Sequence, residues 1–345
     1  MDRREFLRCG LSAAATTPFF SKNLWAQTSP IPGNVEKLQA LEAEPLRRLA
    51  FGSCNKQTHD QSYWQWIARE QPQLWIWLGD CIYADRASLD TRRQWYDALK
   101  TNSFYKAFTD QVPIIGTWDD HDYFNGNADG RYEDKDASKL LMLDFMGVSP
   151  EDPVHARLGV FQKYTFGPAG QRTEIILLDL RYFMDRKKNE KSLLGELQWA
   201  FLEEAIRNST ADLLIIGSSL NVSSRITFFG LEGWNAFGGE RQRLYDLLAS
   251  TPTPTVLLSG DRHMGEIYRI VLGNGKPIYE LMSSGLTHAL GVKLPSKERQ
   301  GETVGKRHYG CLDIDWGATG PQVQLQLRSN EQSRIYQNHL AQFSY

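Results

Sequence analysis

The chain has 345 residues, of which 41% are hydrophobic and 23% charged, with 39 basic against 41 acidic side chains and a formal charge of −2. This is globular composition, and it excludes a disordered chain, a collagen repeat or a coiled coil. The absence of a cationic excess argues against nonspecific nucleic-acid binding, and no apolar run is long enough to span a bilayer.

The first 26 residues differ from the rest. Asp2-Arg3-Arg4-Glu5-Phe6-Leu7-Arg8 is a charged opening with an arginine pair, followed by the weakly apolar Cys9–Ala15, then Phe19-Phe20 and Ala26. This is the plan of a signal peptide, and Arg-Arg-x-Phe-Leu resembles the twin-arginine export signal. Residues 1–26 are therefore expected to engage the twin-arginine translocation machinery, leaving a periplasmic or secreted protein. Cys54, Cys81 and Cys311 would remain, an odd number in an oxidising compartment. Residues 27–45 carry Thr-Ser-Pro, Ile-Pro-Gly and Glu-Ala-Glu-Pro and read as a linker. Residues 46–345 read as one domain.

Short apolar runs then alternate with helical patterns. Leu49-Ala50-Phe51 runs into Gly52-Ser53-Cys54-Asn55, and Asp60 caps a helix that turns Tyr63, Trp64, Trp66 and Ile67 inward. Leu74–Leu78 is a buried strand ending at Gly79-Asp80. A helical stretch at about 90–108 leads to the strand-like run 112–116, and Asp136–Met146 is helical with Gly147 as its C-cap. The second half repeats the pattern, with strands at 175–179, 213–217 and 255–259 and helices at Gly195–Arg207 and Glu240–Ala249. From about 266 to 328 the alternating runs and turns read as antiparallel strands. The predicted class is α/β, with mixed sheets covered by helices.

The polar residues that interrupt the apolar runs fall just after strands, where open α/β sheets bind ligands. They form four clusters: Gly52–Asn55, Gly79–Asp85, Thr117–Tyr123 with Asn125 and Asn127, and Ser259–His263. Acidic and imidazole groups gathered on one rim repel each other unless a polyvalent cation sits among them. Asp119-Asp120-His121-Asp122 points most strongly to function, since three carboxylates around one imidazole are costly without a metal or substrate partner.

Taken in order, these motifs resemble the calcineurin-like metallophosphoesterases, and within them the alkaline phosphatase D family. The resemblance rests on Gly-Ser-Cys-Asn, Gly-Asp-x-Ile-Tyr, Trp-Asp-Asp-His-Asp, Leu-Leu-Asp-x-Arg at Leu177–Arg181, Gly-Asp-Arg-His, and Ser-Ser-Gly-Leu-Thr-His at 283–288. It implies a four-layer sandwich, two mixed β-sheets flanked by helices, with a metal centre at the strand ends. It further implies a metal-dependent hydrolase of phosphate esters, with Fe3+ and Ca2+ as the ions and Mn2+ or Zn2+ as alternatives. Residue by residue, Cys54, Asp80, Tyr83, Asp120, Asp261 and His263 stand as metal ligands, Asp80 bridging two ions. His121 stands as the acid at the leaving group, its ring oriented by Asp122 or Asp119. Arg181, Arg262, Lys135 and His288 are candidates for phosphate contacts. The chain departs from the wider superfamily in lacking a first Asp-x-His and a mid-chain histidine near Ser218–Asn221.

The donor chemistry suits this scheme. Thiolate and phenolate favour a strongly Lewis-acidic ion, and carboxylate oxygens a hard divalent one. Other readings stay open on the sequence: Cys54 and Cys81 as a disulfide, a phosphodiesterase or phospholipase D-like activity, or a non-catalytic exported metal-binding module. His59, His155, His308 and His339 lie outside the clusters and read as surface or core residues.

Overall fold

The computed structural model describes residues 31, 33–186, 191–225, 232–293 and 295–343. The expected signal at 1–26 lies outside the described residues. In chain order the first half contains α1 (Asn34–Glu42), β1 (Arg48–Gly52), α2 (Trp64–Arg69), β2 (Leu74–Leu78), α3 (Leu89–Thr101), α4 (Ser103–Thr109), β3 (Ile114–Thr117), the one-turn α5 (Asp120–Tyr123) and α6 (Lys135–Phe145). The second half contains β4 (Gln162–Phe166), β5 (Thr173–Leu177), α7 (Gly195–Arg207), β6 (Leu213–Ser218), α8 (Gly238–Ala249), β7 (Thr255–Ser259), β8 (Gly265–Val271) and β9 (Pro277–Ser283). Four further strands end the chain: β10 (Arg299–Val304), β11 (His308–Gly317), β12 (Gly320–Ser329) and β13 (Ile335–Ala341).

The strands form a six-stranded sheet, β13-β12-β11-β1-β2-β3, and a seven-stranded sheet, β10-β8-β9-β7-β6-β5-β4. Both are mixed. β1, β2 and β3 run parallel, as do β5, β6, β7 and β9, while hairpin-type antiparallel pairs extend each sheet. The expected antiparallel tail is therefore seen except at β9, which returns parallel to β7.

Side-chain parity in the continuous apolar strands explains the four layers. Because alternate residues face opposite sides, Leu74, Ile76 and Leu78 join Ile175, Leu177, Ile215 and Leu258 in a core between the sheets. Trp75 and Trp77 point the other way, into a core with Trp64, Tyr105, Phe108 and Phe145 under α2, α4 and α6. On the far side Ile176, Leu214, Ile216 and Leu257 pack with Trp199 and Leu202 of α7 and with Leu244 and Leu248 of α8. A strand buried on both faces has no polar alternation, as these sequences show.

Three local expectations change. The stretch read as a linker is helical over Asn34–Glu42. Its buried Asn34 exchanges side-chain hydrogen bonds with the Ile114 backbone and donates to the Met146 carbonyl. Such pinning is invisible to a local reading. The helical run at 90–108 is two helices, because the Asn102 side chain accepts from the Phe104 and Tyr105 amides and starts α4 afresh. Trp66 is not part of the buried core; it lies under the Arg69 guanidinium, 4.1 Å from the ring centroid.

Candidate functional site

The ends of β1, β2, β3, β5, β6 and β7 converge on one rim. Cys54, Asp80, Asp261 and His263 all take left-handed backbone angles there, with φ of 60°, 50°, 70° and 54°. Non-glycine residues seldom adopt this conformation, and such strain is concentrated at functional sites. Gly79 is required for the approach of two loops: a Cβ on it would stand 2.3 Å from that of Asp119, and its φ is +87°.

The acidic side chains lie together. Carboxylate or ring atoms of Asp80, Asp120 and His121 fall within 4.8 Å of one another, as do those of Asp119, Asp120 and Asp261. Asp120 is common to both groups. Cys54 Sγ lies 3.4 Å from Asp80 Oδ2, and the Tyr83 hydroxyl lies 3.2 Å from the same oxygen. Asp80 thus joins a thiol and phenol side of the site to a carboxylate side. Asp119 Oδ2 and His263 Nδ1 are buried without a hydrogen-bond partner among the described residues.

Burial and mutual repulsion push the Asp80 and Asp261 carboxyls well above the usual range. Burial also raises Asp119, offset by Arg181. At Asp120 burial is outweighed by the charges of Arg181 and His121 and by the Asn127 and His121 amides, so its carboxyl lies below the usual value. Burial, then the nearby carboxylates, raises the Cys54 thiol and the Tyr83 phenol. Burial lowers His263 and His288 to about 4, favouring neutral imidazoles. Carboxylates crowded in this way, orphaned ligand atoms and neutral imidazole are the donor set of a cation site. A cation would convert each penalty into an attraction.

His121 stacks on Tyr83 with ring centroids 4.1 Å apart, and its Nδ1 lies 2.6 Å from Asp85 Oδ1. Asp85, not Asp122 or Asp119, therefore orients the ring, which corrects the expected assignment. Asp122 is buried instead as a loop anchor. It accepts from the Cys81, Ile82 and Asp119 amides and from the Tyr96 hydroxyl. Asp119 accepts from Arg181 and from Ser219. Asp85 stood within the Gly79–Asp85 cluster, but only the turn after β2 brings it to the imidazole.

The expected phosphate contacts divide. His288 stays at the rim, its ring 4.3 Å from His263 and 5.2 Å from Tyr83. Arg181 and Arg262 are buried, and their guanidinium groups face protein: Arg181 bonds Asp119 and Glu232, and Arg262 donates to the Glu232 carbonyl. Lys135 donates to the Gly130 and Tyr182 carbonyls. Arg181 Nη2, however, is buried without a hydrogen-bond partner among the described residues, 4.0 Å from Asp120 Oδ1 at the rim. Cys54, Cys81 and Cys311 are separate thiols, so the disulfide alternative is not realised. His59, expected to stand apart, lies 6.1 Å from the His288 ring.

A family model described as PhoD-like phosphatase matches residues 49–308. Alkaline phosphatase D of Bacillus subtilis (strain 168) is 22% identical over 287 residues, covering 69% of this chain. The chain spans about half that relative's length, 49% of it. A solved structure of PhoD superposes with a TM-score of 0.67 at 17% identity, covering 87% of this chain and 69% of the other. Purple acid phosphatase PPD1 from yellow lupin (Lupinus luteus) seeds gives 0.57 at 12% identity, covering 86% of this chain and 53% of that one. The two structural likenesses share the sandwich of two mixed sheets flanked by helices. With the family model spanning most of the sheet-forming chain and the motif residues gathered on one rim, the chain belongs to the PhoD-like phosphatase family.

Proposed function

We propose that this chain is a metal-dependent hydrolase of phosphoric esters working at the acidic rim. The observation that carries the reading is the convergence of Asp80, Asp119, Asp120 and Asp261 with Asp119 Oδ2 and His263 Nδ1 left without partners. Arg181, His121 and a few amide and hydroxyl donors offset part of this crowding, and the Asp80, Asp119 and Asp261 carboxyls remain raised. Asp119, Asp120, Asp261 and His263 would hold hard divalent ions such as Ca2+, with Mn2+ or Zn2+ as alternatives. Cys54 and Tyr83, joined through Asp80, suit a more Lewis-acidic ion such as Fe3+. Such ions polarise phosphoryl oxygens and acidify water when bound.

The protein's own contribution is orientation and a proton. Asp85 fixes Nδ1 of His121, leaving Nε2 as the ring atom able to protonate a departing alkoxide. Tyr83 packs against the same ring and limits its rotation. His288 adds a neutral hydrogen-bonding edge beside His263. Monoesters and diesters both fit this arrangement of groups. Arg3-Arg4 supports export to the periplasm or medium, with residues 1–26 as the signal and the phosphoesterase domain following. In a fractionated host, replacing both by Lys should retain the protein in the cytoplasm.

The test pairs elemental analysis with hydrolysis of chromogenic mono- and diesters. Asp80→Ala should lose ions and activity together, because its carboxylate joins the two donor groups. An active wild type without bound metal, or Asp80→Ala with full metal content, would contradict the reading.

A further inference from the structure

The buried arginine behind the acidic rim is itself held by an acid. Arg181 Nε donates to Asp119 Oδ1 at 2.6 Å, Nη1 to Glu232 Oε2 at 2.7 Å, and Nη2 stands 4.0 Å from Asp120 Oδ1. The side chain of Arg181 is 0% exposed and that of Glu232 11%. Glu232 also pairs with Arg186, and its backbone carbonyl accepts from Nε and Nη2 of Arg262 at 3.2 and 2.9 Å. The loops after β5, β6 and β7 thus meet at one residue. Glu232 has no described contact with the metal-ligand candidates themselves. Its side-chain charge meets theirs across Arg181, and its backbone carbonyl holds Arg262 between Asp261 and His263.

We propose that Glu232 is a positioning residue that sets how much of the Arg181 charge the acidic rim feels, and so the affinity of that rim for cations. The inference rests on the reading that the rim binds cations. The Arg181 guanidinium is shared between carboxylates on its two sides. Removing the charge on the Glu232 side delivers more of its field to Asp119 and Asp120, which weakens cation binding. Removing Arg186 has the opposite sign, because Glu232 then neutralises Arg181 more fully. The Arg181 and Glu232 side chains are shielded from water, so a unit charge a few ångströms away acts strongly there. A network that merely knits loops together makes no such prediction of sign. In that case the two substitutions would either both loosen the rim or both leave it unchanged.

The experiment uses the full chain stripped by a chelator, with Mn2+ affinity read by competition against a chromogenic chelator. Wild type, Glu232→Gln, Arg186→Gln and the double variant are compared at one pH. Glu232→Gln should bind Mn2+ more weakly by roughly tenfold, and Arg186→Gln more tightly by about threefold or more. The double variant should return to within about threefold of wild type, since the two charge changes cancel. Arg186 has a side chain 30% exposed, so its substitution carries the sign test even if Glu232→Gln folds poorly. Weakening in both single variants, or a change in neither, overturns the proposal while leaving the cation reading intact. A wild type that binds no Mn2+ overturns both.

Discussion

At the scale of single residues, the informative contrast is between Asp122 and Asp85. Both are acids close to His121 in the folded chain. Asp122 is buried and saturated by three amides and a hydroxyl, so it shapes the loop. Asp85 is exposed and, among the described residues, its side chain bonds His121 Nδ1. Removing the Asp85 charge should therefore change chemistry more than folding. Asp85→Asn is expected to lower kcat by about 10–100-fold, as loss of an orienting partner does. Metal content should be unchanged, and the loss should shrink for esters with acidic leaving groups, which need less protonation. A series of substituted phenyl phosphates measures this directly. A uniform loss across the series would mean that Asp85 positions the substrate rather than the proton.

At the scale of elements, the helices of the first half matter because they clamp the outward face of β2. Trp64 of α2 packs on Trp75, Trp77, Tyr105 and Phe108, with ring centroids 4.8–5.4 Å apart. Trp64→Ala should therefore cost about 3–5 kcal/mol of stability, a core truncation with its cavity. Trp66→Ala, on the neighbouring but partly exposed ring, should cost about 1 kcal/mol or less. Denaturant midpoints at unchanged slope distinguish the two. Equal losses would mean that α2 is docked differently from the arrangement described. The site depends on this clamp, because β2 ends at Gly79 and Asp80.

At the scale of the whole molecule, stability and site charge are linked. Asp80, Asp119 and Asp261 are raised by burial, and Asp122 is raised to about 7. A carboxyl raised in the folded state binds its proton more tightly there than in the unfolded chain. Its stabilisation is present below the unfolded value near 3.8 and is lost as pH rises through the folded value. For Asp80, Asp119 and Asp261, which face the cation site, that loss begins as pH rises above about 4, so chelated protein should lose melting temperature from there upward, relative to protein loaded with divalent ions. The gap between the two states should widen as pH rises. Melting curves in chelator and in excess Mn2+ across that range test it. A gap independent of pH would remove the carboxylates from cation binding.

Much of this protein was decided locally. The apolar runs of β2, β5, β6 and β7 needed only their length and parity to be strands buried on both faces, and Gly195–Arg207 needed only its periodicity to be a helix. The clusters after those strands were legible because backbone turns there leave acids and histidines where a sheet cannot use them. Other features depend on partners distant in sequence. Asn34 belongs to the domain because it bonds Ile114 and Met146, and β13 exists because β12 offers an edge. Arg181, read from its motif as a ligand contact, is turned inward by Asp119 and by Glu232, which lies 51 residues further along the chain. Which acid serves His121 likewise waits on how one turn closes. Residue type and spacing chose the chemistry, and only the packing of the two sheets chose which groups face the ligand and which face each other. Buried charge is settled by its nearest partner in space, and that partner is a property of the fold.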